Sequence, residues 1–190
     1  MGALTDFDLR HLITDYGCRV LVETGIGKGQ GTDEAATLEF QQIFAIEPQH
    51  KPALDLALRH AADHRITVIH GRIERGLEEV LDEIAPDAPV LFWLDAHQPG
   101  KDRQPRLELQ MRQIAGRRDI SRDVFLIDDL RIYEDGAYDD GPCPDSQLPP
   151  PGQRSLRFLE EMLAGSHEIQ RSRRRAGYLC AYPIVAEGRC

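Results

Sequence analysis

The chain has 190 residues, 41% of them hydrophobic and 29% charged, a composition that suits one soluble globular domain with a substantial core. Its formal net charge of −9 argues against a general nucleic-acid binder, which needs clustered lysine and arginine to neutralise phosphate. No apolar run reaches membrane-spanning length, and the opening MGALTDFDLRHL carries acids early, without the basic-then-apolar layout of a secretory leader.

Leu9, Leu12, Ile13 and Tyr16 share one helical face before Gly17, with Thr5 and Asp8 placed like a capping box. The run RVLVE (19–23) reads as a strand and leads into the glycine-rich GIGKGQG (25–31). Thr32 is expected to cap a helix through Phe40, with Asp33 and Glu34 at its positive end. A second strand, IFAIE (43–47), precedes a helix opened by Pro52 and continued by ALDLALRHAA. The strand ITVIH (66–70) is followed by the apolar stripe Ile73, Leu77, Val80, Leu81 and Ile84. PVLFWLD (89–95) and DVFLID (123–128) read as two more strands, separated by a helix carrying Leu107, Met111 and Ile114. The stretch 133–152 is dense in Gly, Pro and Asp and too long for an ordinary connector, so it reads as a flexible lid or an insertion. A last helix carries Leu156, Leu159, Met162 and Leu163, after which HEIQRS and GYLCAYPIV are joined by RRRA alone. That joint is too short for a crossover and requires an antiparallel hairpin.

Strands with nearly continuous apolar character, alternating with helices, imply right-handed crossovers and a parallel sheet covered on both faces. The expected fold is α/β: a doubly wound, mostly parallel seven-stranded sheet closed by a C-terminal antiparallel hairpin, forming a single domain over residues 1–190. Cys18, Cys143, Cys180 and Cys190 show neither a C-x-x-C pair nor zinc spacing, so they are expected as free thiols in a reducing cytoplasm.

Glycine-rich turns after a first strand leave room for a nucleotide against the backbone. The spacing here is E-x-G-x-G-x-G from Glu23. The dinucleotide pattern G-x-G-x-x-G would need a third glycine at Gln30 or, one repeat later, at Thr32. A tight turn whose glycines serve packing only is the plainer alternative. Glu47 ends the second strand 22 positions beyond Gly25, where an acid can accept both ribose hydroxyls of an adenosyl group.

The series VETGIGKGQGT, IFAIEPQ, VIHGRIERGLEEVL, VLFWLDAH and VFLIDDLRIY, in that order, resembles a compact class I S-adenosylmethionine-dependent methyltransferase. The resemblance covers most of the chain and implies a cofactor site made by Glu23, Gly25, Gly27, Gly29, Glu47, Arg72, Ile73 and Asp95. FWLDAH followed by LIDD is similar, more narrowly, to small-molecule O-methyltransferases of the macrocin type. The chain departs from the family after the third strand. Many relatives place an acid and a small residue at the adenine; here Arg72 and Ile73 stand there.

In an open α/β sheet, ligands sit beyond the carboxyl ends of the strands. That places Asp95, His97, Asp128 and Asp129 on the edge that carries the glycine turn, with Asp95, His97 and Asp128 as the expected catalytic groups. Three gathered carboxylates repel one another unless a cation intervenes, and Mg²⁺ prefers oxygen ligands, so Asp95, Asp128 and Asp129 are candidate metal ligands. The metal-free alternative uses His97, or else Asp95, as general base. Ordinary loop-capping roles are the plain alternative for all four. The expected partner is a small-molecule methyl acceptor, with neither nucleic acid nor membrane involved. A homodimer is an open arrangement, in which a second copy closes the site. Two rival functions remain at this level: an NAD-type oxidoreductase and a non-catalytic binding module that keeps the fold.

Overall fold

The structure, a computed structural model, describes residues 3–96, 106–150 and 152–184. Its elements run α1 (Leu9–Asp15), β1 (Val20–Thr24), α2 (Gln30–Ala36), β2 (Gln42–Glu47), α3 (His50–Arg59), β3 (Ile66–His70), α4 (Ile73–Glu83), β4 (Val90–Leu94), α5 (Leu107–Ala115), β5 (Val124–Ile127), α6 (Arg157–Leu163), β6 (His167–Ser172) and β7 (Tyr178–Pro183). The seven strands form one sheet in the order β3-β2-β1-β4-β5-β7-β6. β1 to β5 are parallel, and β7 lies antiparallel between β5 and β6, as the short RRRA joint requires.

Strand alternation divides the core into two layers. Val20, Val22, Phe44, Ile46, Phe92 and Phe125 pack on one face against the Ile73, Leu77, Val80, Leu81 and Ile84 stripe of α4, with Leu107, Met111 and Ile114 of α5. On the other face, Leu21, Ile43, Leu91, Trp93 and Leu126 meet Leu9, Leu12 and Ile13 of α1, Ala35 of α2, and Phe40. The nearly continuous apolar runs follow from this double coverage; β1, β4 and β5 are buried at every position. In the 133–152 stretch, Tyr133, Tyr138 and Cys143 are buried in the α4–α5 layer. Cys18, Cys143 and Cys180 are buried and free, and Cys190 lies outside the described residues. Among the described residues, no helix is long and apolar enough to cross a membrane.

Two helix starts differ from expectation. Asp8 is itself the N-cap of α1, accepting the His11 N–H at 3.1 Å, while Thr5 belongs to a preceding 3-10 turn over Leu4–Asp6. Thr32 does not cap α2. That helix begins at Gln30 behind a left-handed Gly29 and ends at Ala36, so Thr32 lies inside it. The glycine turn already supplies the change of direction, and the Thr32 hydroxyl is needed elsewhere, as the site shows.

Candidate functional site

The sheet reverses its winding between β1 and β4, and the crevice beyond their carboxyl ends is where a ligand gains access to both halves. Backbone bonds set its floor. The Gly25 N–H donates to Ile46 O at 2.9 Å, Asp95 N–H to Thr24 O at 3.1 Å, and Asp128 N–H to Leu94 O at 3.2 Å. The glycine turn, Asp95 and Asp128 are thereby held on neighbouring strand ends.

The glycines of the turn have different reasons to be there. A Cβ on Gly25 would come within 2.9 Å of Ala96 Cβ, one on Gly29 within 2.6 Å of Leu56 Cδ1, and one on Gly31 within 2.5 Å of Glu23 Oε1. At Gly25 an added Cβ would meet the Ala96 backbone as well, while at Gly29 and Gly31 the ends of the Leu56 and Glu23 side chains would have to move. Gly25, Gly27 and Gly29 all hold a left-handed backbone, at φ +78°, +54° and +80°, but Gly27 differs in its surroundings: an added Cβ there would meet nothing within 4 Å. There the backbone faces open space, a cavity of about 420 Å³. Glu23, Trp93 and Asp95 line that cavity, Ala3 to Thr5 form a wall, and Lys28 and Arg175 add positive charge.

Glu23 is buried, with its Oε2 accepting the Thr32 hydroxyl at 2.5 Å. Burial pushes its carboxyl up to about 7, against the lowering effect of that hydrogen bond. Glu47 is buried as well. Its Oε2 accepts the Ile26 N–H at 3.2 Å and its Oε1 the Gln49 N–H at 2.8 Å, so it braces the glycine turn. Each carboxylate oxygen has a further lone pair, which leaves Glu47 able to accept a hydroxyl.

Asp95, Asp128 and Asp129 each bring a carboxylate oxygen within 4.8 Å of the others. Burial first, then the charges of Asp128 and Asp129, pushes the Asp95 carboxyl up to about 9. Asp129 holds a left-handed backbone at φ 52°, and Arg131 Nε approaches its Oδ1 at 3.4 Å. An all-oxygen donor set whose members repel one another matches a hard divalent cation. His97 lies outside the described residues.

The two residues expected at the adenine are not among the residues lining the glycine cavity. Arg72 is 80% exposed, lies 3.6 Å from Glu74 and lines a second hollow of about 380 Å³ with Ile69, His70 and Gly71. Ile73 is buried in the α4 layer.

Sequence reasoning missed the roof. The 3-10 turn at Leu4–Asp6 is fastened to the far end of the chain: the Tyr178 hydroxyl donates to Asp6 Oδ2 at 2.5 Å, Arg175 Nη2 donates to Asp6 Oδ1 at 3.0 Å, and Ala3 N–H donates to the Tyr178 hydroxyl at 3.1 Å. Burial would raise the Asp6 carboxyl, but these bonds and the arginine charges outweigh it and hold it below the ordinary carboxylate range. The signal available was topological. β7 pairs Leu179 with Ile127 in the antiparallel sense, so the turn before it must sit at the carboxyl end of β5.

Comparison with solved structures finds this architecture in known methyltransferases. An O-methyltransferase from Bacillus cereus in complex with SAH matches over 93% of this chain and 79% of its own, with a TM-score of 0.64 and 16% identity. A SAH-bound methyltransferase from Podospora anserina matches over 91% and 75%, at a TM-score of 0.59 and 14% identity. One from Geobacter sulfurreducens matches over 93% and 76%, at 0.58 and 12%. No family model matches the chain, and no curated protein matches it by sequence. At these identities the likeness establishes the fold, an α/β sheet architecture shared with these methyltransferases; the chemistry has to be argued from the site.

Proposed function

We propose that the chain is an S-adenosylmethionine-dependent methyltransferase that methylates a small molecule at oxygen, with Mg²⁺ held by Asp95, Asp128 and Asp129. The observation that carries this reading is the cavity in front of Gly27. It opens at the switch point of a methyltransferase fold and combines an unobstructed left-handed turn with buried carboxyls from Glu23 and Asp95. A pyrophosphate would meet these acids unfavourably; a cationic ligand would not.

In this reading Gly25, Gly27 and Gly29 shape the turn, Glu23 faces the ammonium end of the ligand, and Glu47 takes the ribose hydroxyls while bracing Ile26. Arg72 and Ile73 are assigned to the adenine side. S-adenosylmethionine, when bound, supplies a methyl group already activated as a sulfonium. The protein's part is then alignment, exclusion of water and removal of one proton. A carboxyl that keeps its proton to about pH 9 accepts none from a substrate at neutral pH, so Asp95 needs a cation beside it to serve as carboxylate. Mg²⁺, when bound, would lower the pKa of an acceptor hydroxyl. Without the metal, His97 is the assigned general base. The narrower macrocin-type assignment rests on FWLDAH and LIDD.

Two measurements test the proposal. Calorimetric titration should show tight binding of SAH and none of NAD; NAD binding alone would point to an oxidoreductase, and binding of neither to a non-catalytic module. Radiolabelled methyl transfer to a deproteinised small-molecule extract should be abolished by EDTA and restored by Mg²⁺. Transfer that ignores EDTA would remove the metal and leave His97 as the base to test.

A further inference from the structure

The glycine cavity is lined by side chains of both charge signs. Glu23 and Asp95 supply the carboxyls, and among the described lining residues the positive charges are those of Lys28 and Arg175. A ligand whose end is a zwitterion, with ammonium and carboxylate on one carbon, matches that pattern better than a simple cation or a simple anion.

Arg175 is held for such a task. It sits on the turn between β6 and β7 in a left-handed backbone conformation, φ 54°, which costs a side-chain-bearing residue energy unless its surroundings impose it. Its own contacts impose it: the Arg175 N–H donates to Asp139 Oδ2 at 3.0 Å, and the Arg175 carbonyl accepts the Asp140 N–H at 3.0 Å. At the guanidinium, Asp6 engages Nε and Nη2, so the side chain is fixed toward the cavity wall formed by residues 3–5. Arg174 also reaches Asp6, at 3.4 Å, so two guanidiniums share that carboxylate. The side chain of Arg175 remains 41% exposed, with donor capacity left for a second acceptor.

We infer that Arg175, which lines the same cavity as Lys28 and Glu23, receives the α-carboxylate at the amino acid end of the adenosyl ligand, while Glu23 faces its ammonium. Asp6 acts through Arg175 and is a positioning residue. The inference rests on the proposed function for the identity of the ligand and adds a binding contact from the C-terminal hairpin.

The test compares SAH with 5′-methylthioadenosine, which lacks the amino acid end, by calorimetry on the full chain. Arg175→Gln should weaken SAH by about tenfold or more, the worth of a charge-assisted hydrogen bond, and leave 5′-methylthioadenosine unchanged. Arg175→Lys should recover part of the loss. Asp6→Asn should weaken SAH by a smaller factor, add nothing when combined with Arg175→Gln and leave 5′-methylthioadenosine unchanged, a ligand selectivity that a structural defect would not produce. Unchanged SAH affinity in Arg175→Gln overturns the inference, and so does equal weakening of both ligands. A wild-type chain that binds neither ligand refutes the adenosyl site itself; one that binds both equally refutes only the carboxylate contact.

Discussion

The two ends of β5 bury acids in opposite ways. At the amino end, Asp123 is fully buried, yet its carboxylate accepts Arg118 Nε at 2.8 Å and Nη2 at 3.1 Å, together with the Val90 N–H at 2.9 Å. At the carboxyl end, Asp128 and Asp129 face Asp95. Burial pushes acids up at both ends. Arg118 limits Asp123 to about 6, whereas the neighbouring aspartates drive Asp95 on to about 9. The first end has its counter-charge built into the chain and has no use for a ligand. The second end sets Arg131 against Asp129, at 3.4 Å, yet still gathers three carboxylates, a concentration of like charge that a protein tolerates where a cation is to be held.

Substitutions at the two ends should therefore separate activity from stability. Asp95→Asn should cut methyl transfer by about 10²- to 10⁴-fold without lowering the urea midpoint, because it relieves repulsion; a clear loss of stability would make the cluster structural. Arg118→Ala should do the reverse, costing about 3–5 kcal/mol of unfolding free energy by stranding a buried carboxylate, with SAH affinity intact in the folded fraction. An Arg118→Ala protein as stable as wild type would end the comparison. Glu47→Ala should weaken SAH by about 1–3 kcal/mol, from lost hydroxyl contacts and a loosened Ile26 turn. Unchanged affinity would take Glu47 out of the site.

The smallest effect concerns Glu23. In the native chain it keeps its proton to about 7, against an ordinary value of 4.5. Between those values the native state binds more protons than the unfolded one, so stability falls as pH rises through that window and stays reduced above it. Glu23→Gln should flatten the fall in urea midpoint between about pH 5 and about pH 7. A ligand ammonium beside Glu23 should also drive its proton off, so SAH binding near neutral pH should release a fraction of a proton, visible as a dependence of the calorimetric heat on buffer ionisation enthalpy. A slope unchanged in Glu23→Gln would mean that this carboxyl is ionised in the native protein.

Much of this was legible in the sequence, for identifiable reasons. Periodicity is a local property, so the apolar runs of β1, β4 and β5 and the Ile73 to Ile84 stripe announced a doubly covered sheet. The four-residue RRRA joint, too short for any crossover, announced the hairpin. Acids at strand ends could be assigned to one edge because parallel strands share a direction. Which way a side chain is spent was decided only in three dimensions. Thr32 looked like a cap and instead serves Glu23. Of the glycines in the turn, Gly25, Gly29 and Gly31 answer to Ala96, Leu56 and Glu23, and Gly27 alone among these four faces open space. Asp6 and Arg175 lie 169 positions apart, and no local pattern couples them. They meet because β7 runs back along β5 and delivers its turn to the edge where the chain begins, so the roof of the cavity is a consequence of strand order rather than of any motif.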